Sequence, residues 1–439
     1  MIKISSLKYI PFLLIFISTN LFSQQDDKII ILNHADSLVG REIKGESIRE
    51  LIGNVQFMQG NVVVNCDRAV QYFKTNEVVL TGNVRVQDDT LVLNGKRGIY
   101  NGNDKTSEAF EGVHLEEGTR KLFADYGKYF ITERRVLFRK NVFMQDTSSN
   151  LSCDELIYFR DEKRTIARKN VIISDINNDV KTYSNYFESL GDYSFLLDQP
   201  RIVQIDTTDE GTLDTLTIVS SEMHSYQDSL SRFIAIGKVI MKRGDLSAEC
   251  GNSVYYTDAD SIILRDKPFV WYEKTQVSGD SIFIKLKERK LEKIIVRGNA
   301  FAISLSDTNS QNRFDQMSGE TITMTFFEGK INNILVDVTA TSLYYLYETE
   351  VSAADTTITV QKPNGINITS GDQITILFEE KKVEAIKIIS GVEGKYYPEN
   401  LVQDKESDYN LAGFNWRDGK PAIPPNPFLQ NKSTLGLDK

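Results

Sequence analysis

Residues 82–113 read GNVRVQDDTLVLNGKRGIYNGNDKTSEAFEGV, and this stretch contains the unit from which most of the chain is built. Its two valine positions, Val84 and Val113, are 29 residues apart. Between them lie two runs rich in β-branched and aromatic residues, and Asn101–Asp104 separates the runs with residue types that tolerate the backbone of a tight turn. The stretch therefore predicts a β-hairpin of about 29 residues.

The same spacing recurs along the chain. Five copies of the valine position follow one another at intervals of 29 residues: Val55, Val84, Val113, Val142 and Val171. The series then continues less evenly, with later copies predicted at Ile202, Val239, Phe269 and Ala300. Cys66 and Cys153 keep the same period, because 87 residues separate them. Self-similarity at a fixed period is typical of stacked supersecondary units, and the length of the chain allows about ten of them.

Side-chain alternation predicts how the hairpins pack. The positions two residues after and four residues before the valine are mostly apolar, whereas the position directly after it is polar at Gln56, Arg85 and His114. Even offsets share one face of a strand, so the apolar positions form a nearly continuous wall. The residues predicted to face the interior along this wall are Phe57, Leu80, Val86, Leu115, Phe138, Met144, Ile173, Met241 and Trp271.

The predicted fold is therefore all-β: an elongated open β-jellyroll, in which a sheet of about ten stacked hairpins folds over with the apolar wall inside. Residues 1–23 are predicted to be an export signal, because lysines precede an uncharged apolar run that is short for a membrane span. Whether this signal is cleaved or kept as an anchor stays open. Residues 24–205 hold regular repeats, 206–398 hold less regular repeats with inserted loops, and 399–439 form a proline-rich extended or disordered tail.

Composition excludes several classes of protein. A net charge of −10 and a pI near 5.1 argue against nucleic-acid binding, which needs a basic face. Three cysteines and three histidines, with no ligand spacing, predict neither a metal site nor a disulfide framework. Cys66, Cys153 and Cys250 are expected to be free thiols that serve as small buried apolar residues, because the repeat places them too far apart to be bridged. No cofactor is expected.

The sequence also predicts no catalytic residues. A glycoside hydrolase or lyase needs paired carboxylates in a cleft, but Asp67, Asp125 and Asp154 occur once per repeat and are interpreted as strand-end or turn residues. No G-x-S-x-G motif stands at a strand-to-helix elbow. The recurring Gly-Asn pairs are typical of turns or bulges, not of phosphate-binding loops. The protein is therefore predicted not to be an enzyme.

Together these features resemble the OstA-like family. The resemblance rests on the export signal, the repeated GNV-type strands, Cys66-Asp67 and Cys153-Asp154 with a tyrosine shortly after each, and the closing sequence GVEGKYYP at residues 391–398. It covers about residues 28–398. The family includes the periplasmic bridge protein of lipopolysaccharide transport and the N-terminal domain of the outer-membrane lipopolysaccharide assembly protein. The resemblance implies a twisted β-jellyroll whose apolar interior carries the acyl chains of lipid A, so the inward residues of the apolar wall are predicted to line a lipid groove.

The predicted function is a non-enzymatic periplasmic carrier or bridge for lipopolysaccharide in outer-membrane assembly. Its expected partners are lipopolysaccharide or a related lipid, and other transport components or a second copy that pair with the end strands at residues 29–31 and 383–389. Association with the outer membrane is left open. The alternative is a structural β-solenoid or surface fibre, in which the inward residues pack against one another as a dry core.

Overall fold

The computed structural model describes most of the chain beyond the predicted export signal, which lies outside the described residues. The described ranges are 31–43, 45–59, 62–88, 91–177, 179–207, 211–287, 290–306, 312–328, 330–351, 359–379 and 382–430. They divide into two compact units. The first unit comprises the described residues of Ile4–Gln204 and Asn426–Lys439, and the second unit comprises those of Ile205–Pro425. Each unit is built almost entirely from antiparallel strands.

The first unit consists of strands that pair mainly with their neighbours in the chain, as stacked hairpins require. Its strands, the last of which crosses the boundary, are β1 (Ile31–His34), β2 (Ser37–Ile43), β3 (Glu46–Gln59), β4 (Val62–Tyr72), β5 (Glu77–Asp88), β6 (Leu91–Asn101), β7 (Thr106–Glu117), β8 (Arg120–Phe130), β9 (Arg135–Gln145), β10 (Ser149–Phe159), β11 (Arg164–Asp175), β12 (Val180–Leu190), β13 (Tyr193–Leu197) and β14 (Arg201–Thr207).

The second unit has the same plan with strands of less even length. Its strands are β15 (Leu213–Val219), β16 (Glu222–Tyr226), β17 (Arg232–Arg243), β18 (Leu246–Tyr256), β19 (Ser261–Arg265), β20 (Phe269–Tyr272), β21 (Thr275–Ser278), β22 (Ser281–Lys287), β23 (Lys290–Leu305), β24 (Phe314–Phe327), β25 (Lys330–Val351), β26 (Thr359–Glu379), β27 (Lys382–Ile389) and β28 (Glu393–Pro398).

A kink marks each repeat: two consecutive residues with positive φ stand directly before the valine position. Strand pairing shifts register at the same place, for example between Thr81 and Val84. Glycine and asparagine are favoured here because they tolerate the left-handed conformation. The kinks are Gly53–Asn54, Gly82–Asn83, Glu111–Gly112, Lys140–Asn141, Lys169–Asn170, Asp198–Gln199, Gly237–Lys238, Asp266–Lys267, Gly298–Asn299, Val338–Thr339 and Ser390–Gly391.

The kinks correct two copies in the predicted repeat series. They place the repeat position at Pro200 and Pro268, whereas the sequence predicted Ile202 and Phe269. Proline fits directly after a kink because the ladder is interrupted there and no backbone N–H has to donate. The 29-residue interval therefore holds twice more than expected, from Val171 to Pro200 and from Val239 to Pro268.

The sheet folds over at the line of kinks. Leu51 and Val55 lie on opposite sides of the first kink, yet both belong to one buried cluster with Cys66 and Ala69 of the neighbouring strand. The two halves of each long strand therefore form facing walls, with the core where the walls meet. This confirms the predicted all-β fold of stacked hairpins in a folded-over sheet.

Part of the predicted tail lies within the described residues. It contains α1 (Glu399–Val402), one 3-10 turn (Glu406–Tyr409) and α2 (Pro427–Gln430), joined by extended chain. Val402 is buried beside Leu343 and Tyr345 in the second unit. In the first unit, Phe428 stacks on Tyr183 with 6.1 Å between ring centroids. The described part of the tail is therefore anchored on the strands at these points. Within the described ranges, no helix has the length and apolar character that crossing a bilayer requires.

Candidate functional site

The first unit carries an unbroken line of apolar side chains just beyond the kinks. Cross-strand partners follow one another in register from β3 to β11. On the kinked strand of each hairpin the member is the second residue after the one that directly follows the kink, and on the other strand it is the residue paired with that member. We call this line the post-kink row. Its members are Phe57, Val64, Val86, Leu93, Leu115, Leu122, Met144, Leu151 and Ile173.

The facing wall carries a second line, the pre-kink row, on the other side of the kinks. It combines large and small residues, and Phe138 packs against the glycine of a neighbouring strand, Gly127. Its members are Leu51, Ala69, Leu80, Gly98, Ala109, Gly127, Phe138, Leu156 and Ala167.

Burial decreases with distance from the kinks in the first unit. The residues that directly follow the kinks are buried, since Val55 is 1% exposed and Val171 is 0% exposed. In the post-kink row, all members except Leu122 and Leu151 are only half-buried. The pre-kink row of the same unit is buried, so the partly accessible apolar surface is confined to the post-kink row. We call this line of half-buried side chains the candidate groove of the first unit.

The interior of the second unit is closed. Most of its post-kink positions are buried, with Met241 at 8% exposure and Val270 at 0%, while Met317 and Thr369 are half-buried. Its pre-kink row is at most 1% exposed throughout, and it consists of Ala235, Ser253, Leu264, Ile282, Val296, Ile322, Val336 and Ile374. Interiors packed to this degree have no space for a further chain unless side chains move. The two units therefore differ in how far their post-kink rows are buried.

The structure separates the predicted groove residues into three groups. The first unit holds most of them on its inward faces: Phe57, Val86, Leu115, Met144 and Ile173 lie in the post-kink row, and Leu80 and Phe138 lie in the pre-kink row. Met241 also points inward but is buried in the second unit. Trp271 points outward, because it stands three residues after Pro268 and pairs with Gln276, while Val270 takes the inward position. Lipid contact by these residues stays a prediction.

The sequence analysis did not identify the inward-facing residues on the second strand of each hairpin. Val64, Leu93, Leu122 and Leu151 complete the post-kink row, and they are also 29 residues apart. The signal was therefore present in the sequence, but the prediction followed the valine position alone.

The carboxylates that occur once per repeat bind the kinks. The Asn83 side-chain amide donates to Asp67 at 3.0 Å, and the corresponding bonds from Asn141 to Asp125 and from Asn170 to Asp154 measure 2.8 Å. A Cβ at Gly82 would lie 2.2 Å from the Asp67 carboxylate, so this aspartate also requires glycine in the kink. These contacts give Asp67, Asp125 and Asp154 a structural role, but the three residues lie in the middle of β4, β8 and β10 and not at the strand ends or turns that the sequence predicted.

The three cysteines are free and buried, as predicted, and they lie opposite kink positions. Burial raises the pKa of Cys66 to about 11 and those of Cys153 and Cys250 to about 12. Thiols that are hard to ionise are poor nucleophiles and poor metal ligands. Among the residues that the structure describes, no group of three or more His, Cys, Asp and Glu side chains could hold a metal ion.

Comparison with known proteins supports the family resemblance over the first unit. The model of a family described as OstA-like protein matches residues 26–184, so this part of the chain matches the family that the sequence resembles. No curated protein matches the chain. Among solved structures, one similar chain is LptH from Pseudomonas aeruginosa, described as the LptA homologous periplasmic component of the conserved lipopolysaccharide transport device. It is 13% identical, and the match covers 35% of this chain and 95% of that chain with a TM-score of 0.25, which is too low to support an argument.

Proposed function

We propose that the first unit is a non-enzymatic carrier of lipopolysaccharide in the periplasm, and that the acyl chains of lipid A lie in its groove. The observation that carries the proposal is the half-buried post-kink row, which runs in register across consecutive strands. The family match over residues 26–184 supports the class of cargo.

The chemistry of the groove suits acyl chains. Each methylene that leaves water for an apolar surface gains about 0.8 kcal/mol, so a lipid with several chains is held firmly. Successive hairpins offer nearly the same surface, for example at Val86, Leu115 and Met144. Neighbouring hairpins are two strands, or about 10 Å, apart. A chain that leaves one hairpin meets an equivalent site on the next, which allows movement along the groove.

The end strands are the proposed docking points for partners. In the first unit, β1 and β2 pair with β3 and expose Ile31 and Leu38. In the second unit, β27 pairs with β26 and exposes Val383 and Ile389. Strands that expose apolar side chains can extend a sheet into another chain. We infer that these strands meet other transport components or a second copy; residues 29 and 30 lie outside the described part of the chain.

A photo-crosslinking side chain tests the groove directly. Placed at the inward position Leu115, it is expected to label lipopolysaccharide in cells. Placed at Arg85, which is exposed on the outward face of the same wall, it is expected to give no lipid adduct. Equal labelling from both positions would contradict the proposed groove.

A second candidate function applies to the second unit. Its closed interior favours a structural role, because the inward side chains already fill the space between the walls. We therefore infer that the lipid-carrying groove is confined to the first unit and that the second unit is a dry structural solenoid.

A further inference from the structure

Residues 399–420 lie along the outward face of the second unit. The strand alternation establishes this side, because the inward Ala300 and Ala302 of β23 alternate with Phe301 and Ile303, and the latter pair packs against the tail. The tail residues that contact the cluster of Phe301 and Ile303 are Leu411, Phe414 and Trp416. The segment thus covers apolar surface without occupying the interior of the unit.

Two buried glutamines of the sheet bind this segment through its backbone. Gln276 of β21 donates from Nε2 to the Asn415 carbonyl at 2.6 Å, and its Oε1 accepts from the Arg417 amide at 3.0 Å. Gln316 of β24 accepts from the Leu411 amide at 2.9 Å. Each glutamine is only 1% exposed. Bonds to backbone groups hold a segment in one register irrespective of its side chains.

Ionic and cation–π contacts add fixed points along the segment. Near its start, the buried Arg313 donates to Glu399 at 3.1 Å and to Glu406 at 3.2 Å. Farther along, Arg417 lies 3.6 Å from the centroid of the Phe269 ring and donates to Glu249 at 3.1 Å. Charge-assisted bonds with a half-buried or buried partner are stronger than exposed ones.

These contacts place the segment across many strands. From Glu399 to Lys420 it touches residues of β26, β25, β24, β23, β21, β20 and β18, and it ends with Lys420 Nζ donating to the Asp245 carbonyl at 2.6 Å. As the segment proceeds toward its C-terminus, it therefore meets the strands in the reverse of their order in the sequence. A segment that crosses the strands in this way links hairpins that are otherwise joined only to their immediate neighbours.

We propose that residues 399–420 are a strap: an intramolecular peptide ligand of the outward face that clamps β18 to β26 together. Hairpin stacks open locally at hairpins whose contacts are few, and the strap couples the opening of one hairpin to that of the others. It keeps the second unit closed while leaving its interior free of tail. This inference does not depend on the lipid-binding role proposed for the first unit.

Hydrogen exchange of the full chain tests the strap. The double variant Gln276→Ala with Gln316→Ala removes the bonds to the strap backbone, and we expect the amides of residues 409–417 to exchange about tenfold faster. The amides of β20, β21, β23 and β24 should accelerate with them, while those of β3 to β11 in the first unit keep their rates. Gln361→Ala, at an exposed glutamine of β26, is the matched control and should change none of these rates.

A variant of the strap alone separates clamping from damage to the sheet. Phe414→Ala with Trp416→Ala leaves every strand residue in place and should produce the same acceleration in β23 and β24. Phe327→Ala, at a 71% exposed aromatic residue of the same unit, is its control. The strap is refuted if residues 409–417 exchange faster while β23 and β24 are unchanged, or if neither region responds to the double variants.

Discussion

At the scale of single residues, the kink decides the fold, because it turns a flat stack of hairpins into two facing walls. Gly82 and Gly112 belong to neighbouring kinks, where Gly82 is the first and Gly112 the second residue, with φ of 73° and 83°. They differ in their surroundings: a Cβ at Gly82 would lie 2.2 Å from Asp67, whereas nothing lies within 4 Å of a Cβ at Gly112.

This difference gives a pair of glycine-to-alanine substitutions, both at positive φ. Gly112→Ala should lower the free energy of unfolding by about 1 kcal/mol, because a side chain at positive φ is strained. Gly82→Ala should cost more, about 2–3 kcal/mol, because the Asp67 carboxylate must also move. Urea unfolding followed by circular dichroism measures both losses, and Asp67→Ala should restore part of the Gly82→Ala loss. Equal losses for the two alanine variants would contradict the role given to Asp67.

The cysteines make a second prediction at this scale. A pKa of about 12 instead of the usual 9.0 lowers the thiolate fraction of Cys153 and Cys250 about a thousandfold at pH 8, so native protein should react very slowly with a chromogenic thiol reagent. Denatured, non-reduced protein should show all three thiols. Because the folded pKa values are raised, the thiols' contribution to stability is complete below pH 9 and is lost between about pH 9 and 12. Rapid reaction of native protein would contradict the burial.

At the scale of elements, the sequence predicted the hairpins where each repeat used the same kink chemistry. Gly82-Asn83-Val84 and Lys169-Asn170-Val171 share an asparagine and a valine, so the repeat can be recognised from sequence similarity. Before Pro268 the kink is Asp266–Lys267, and Asp266-Lys267-Pro268 shares no residue with the Gly-Asn-Val motif. The prediction therefore followed the apolar Phe269, slipped by one residue, and turned Trp271 to the wrong face, since a shift of one residue exchanges the two faces of a strand.

The contacts of the strap could not be read from the sequence. Gln276 and Asn415 are 139 residues apart, and neither belongs to a pattern that repeats. The proline content of residues 421–427 indicates chain outside the sheet, but it carries no information about which surface the preceding residues cover. Periodicity predicts contacts between equivalent positions of neighbouring repeats. A segment that crosses the repeats is not itself a repeat, so periodicity predicts none of its contacts.

At the scale of the whole molecule, the repeat that both units share produces two different interiors. The kink chemistry is common to them, as the Asn299–Asp280 bond of the second unit shows beside the Asn83–Asp67 bond of the first. What differs is the filling. The post-kink row is mostly half-buried in the first unit, whereas most post-kink positions of the second unit are buried. A carrier and a structural role can therefore belong to one chain without a change of fold.

Two methionines at equivalent positions test this division. Met144 and Met241 each stand two residues after the position that follows a kink, but Met144 is half-buried in the first unit and Met241 is 8% exposed in the second. Replacing each in turn by a photo-reactive methionine analogue keeps the size of the side chain, so neither variant should unfold. After irradiation in cells, mass spectrometry should find lipid attached at position 144 and only links within the protein at position 241. Lipid at both positions would mean that the second unit opens to cargo and that its dry core is wrong, while lipid at neither would reject the groove of the first unit.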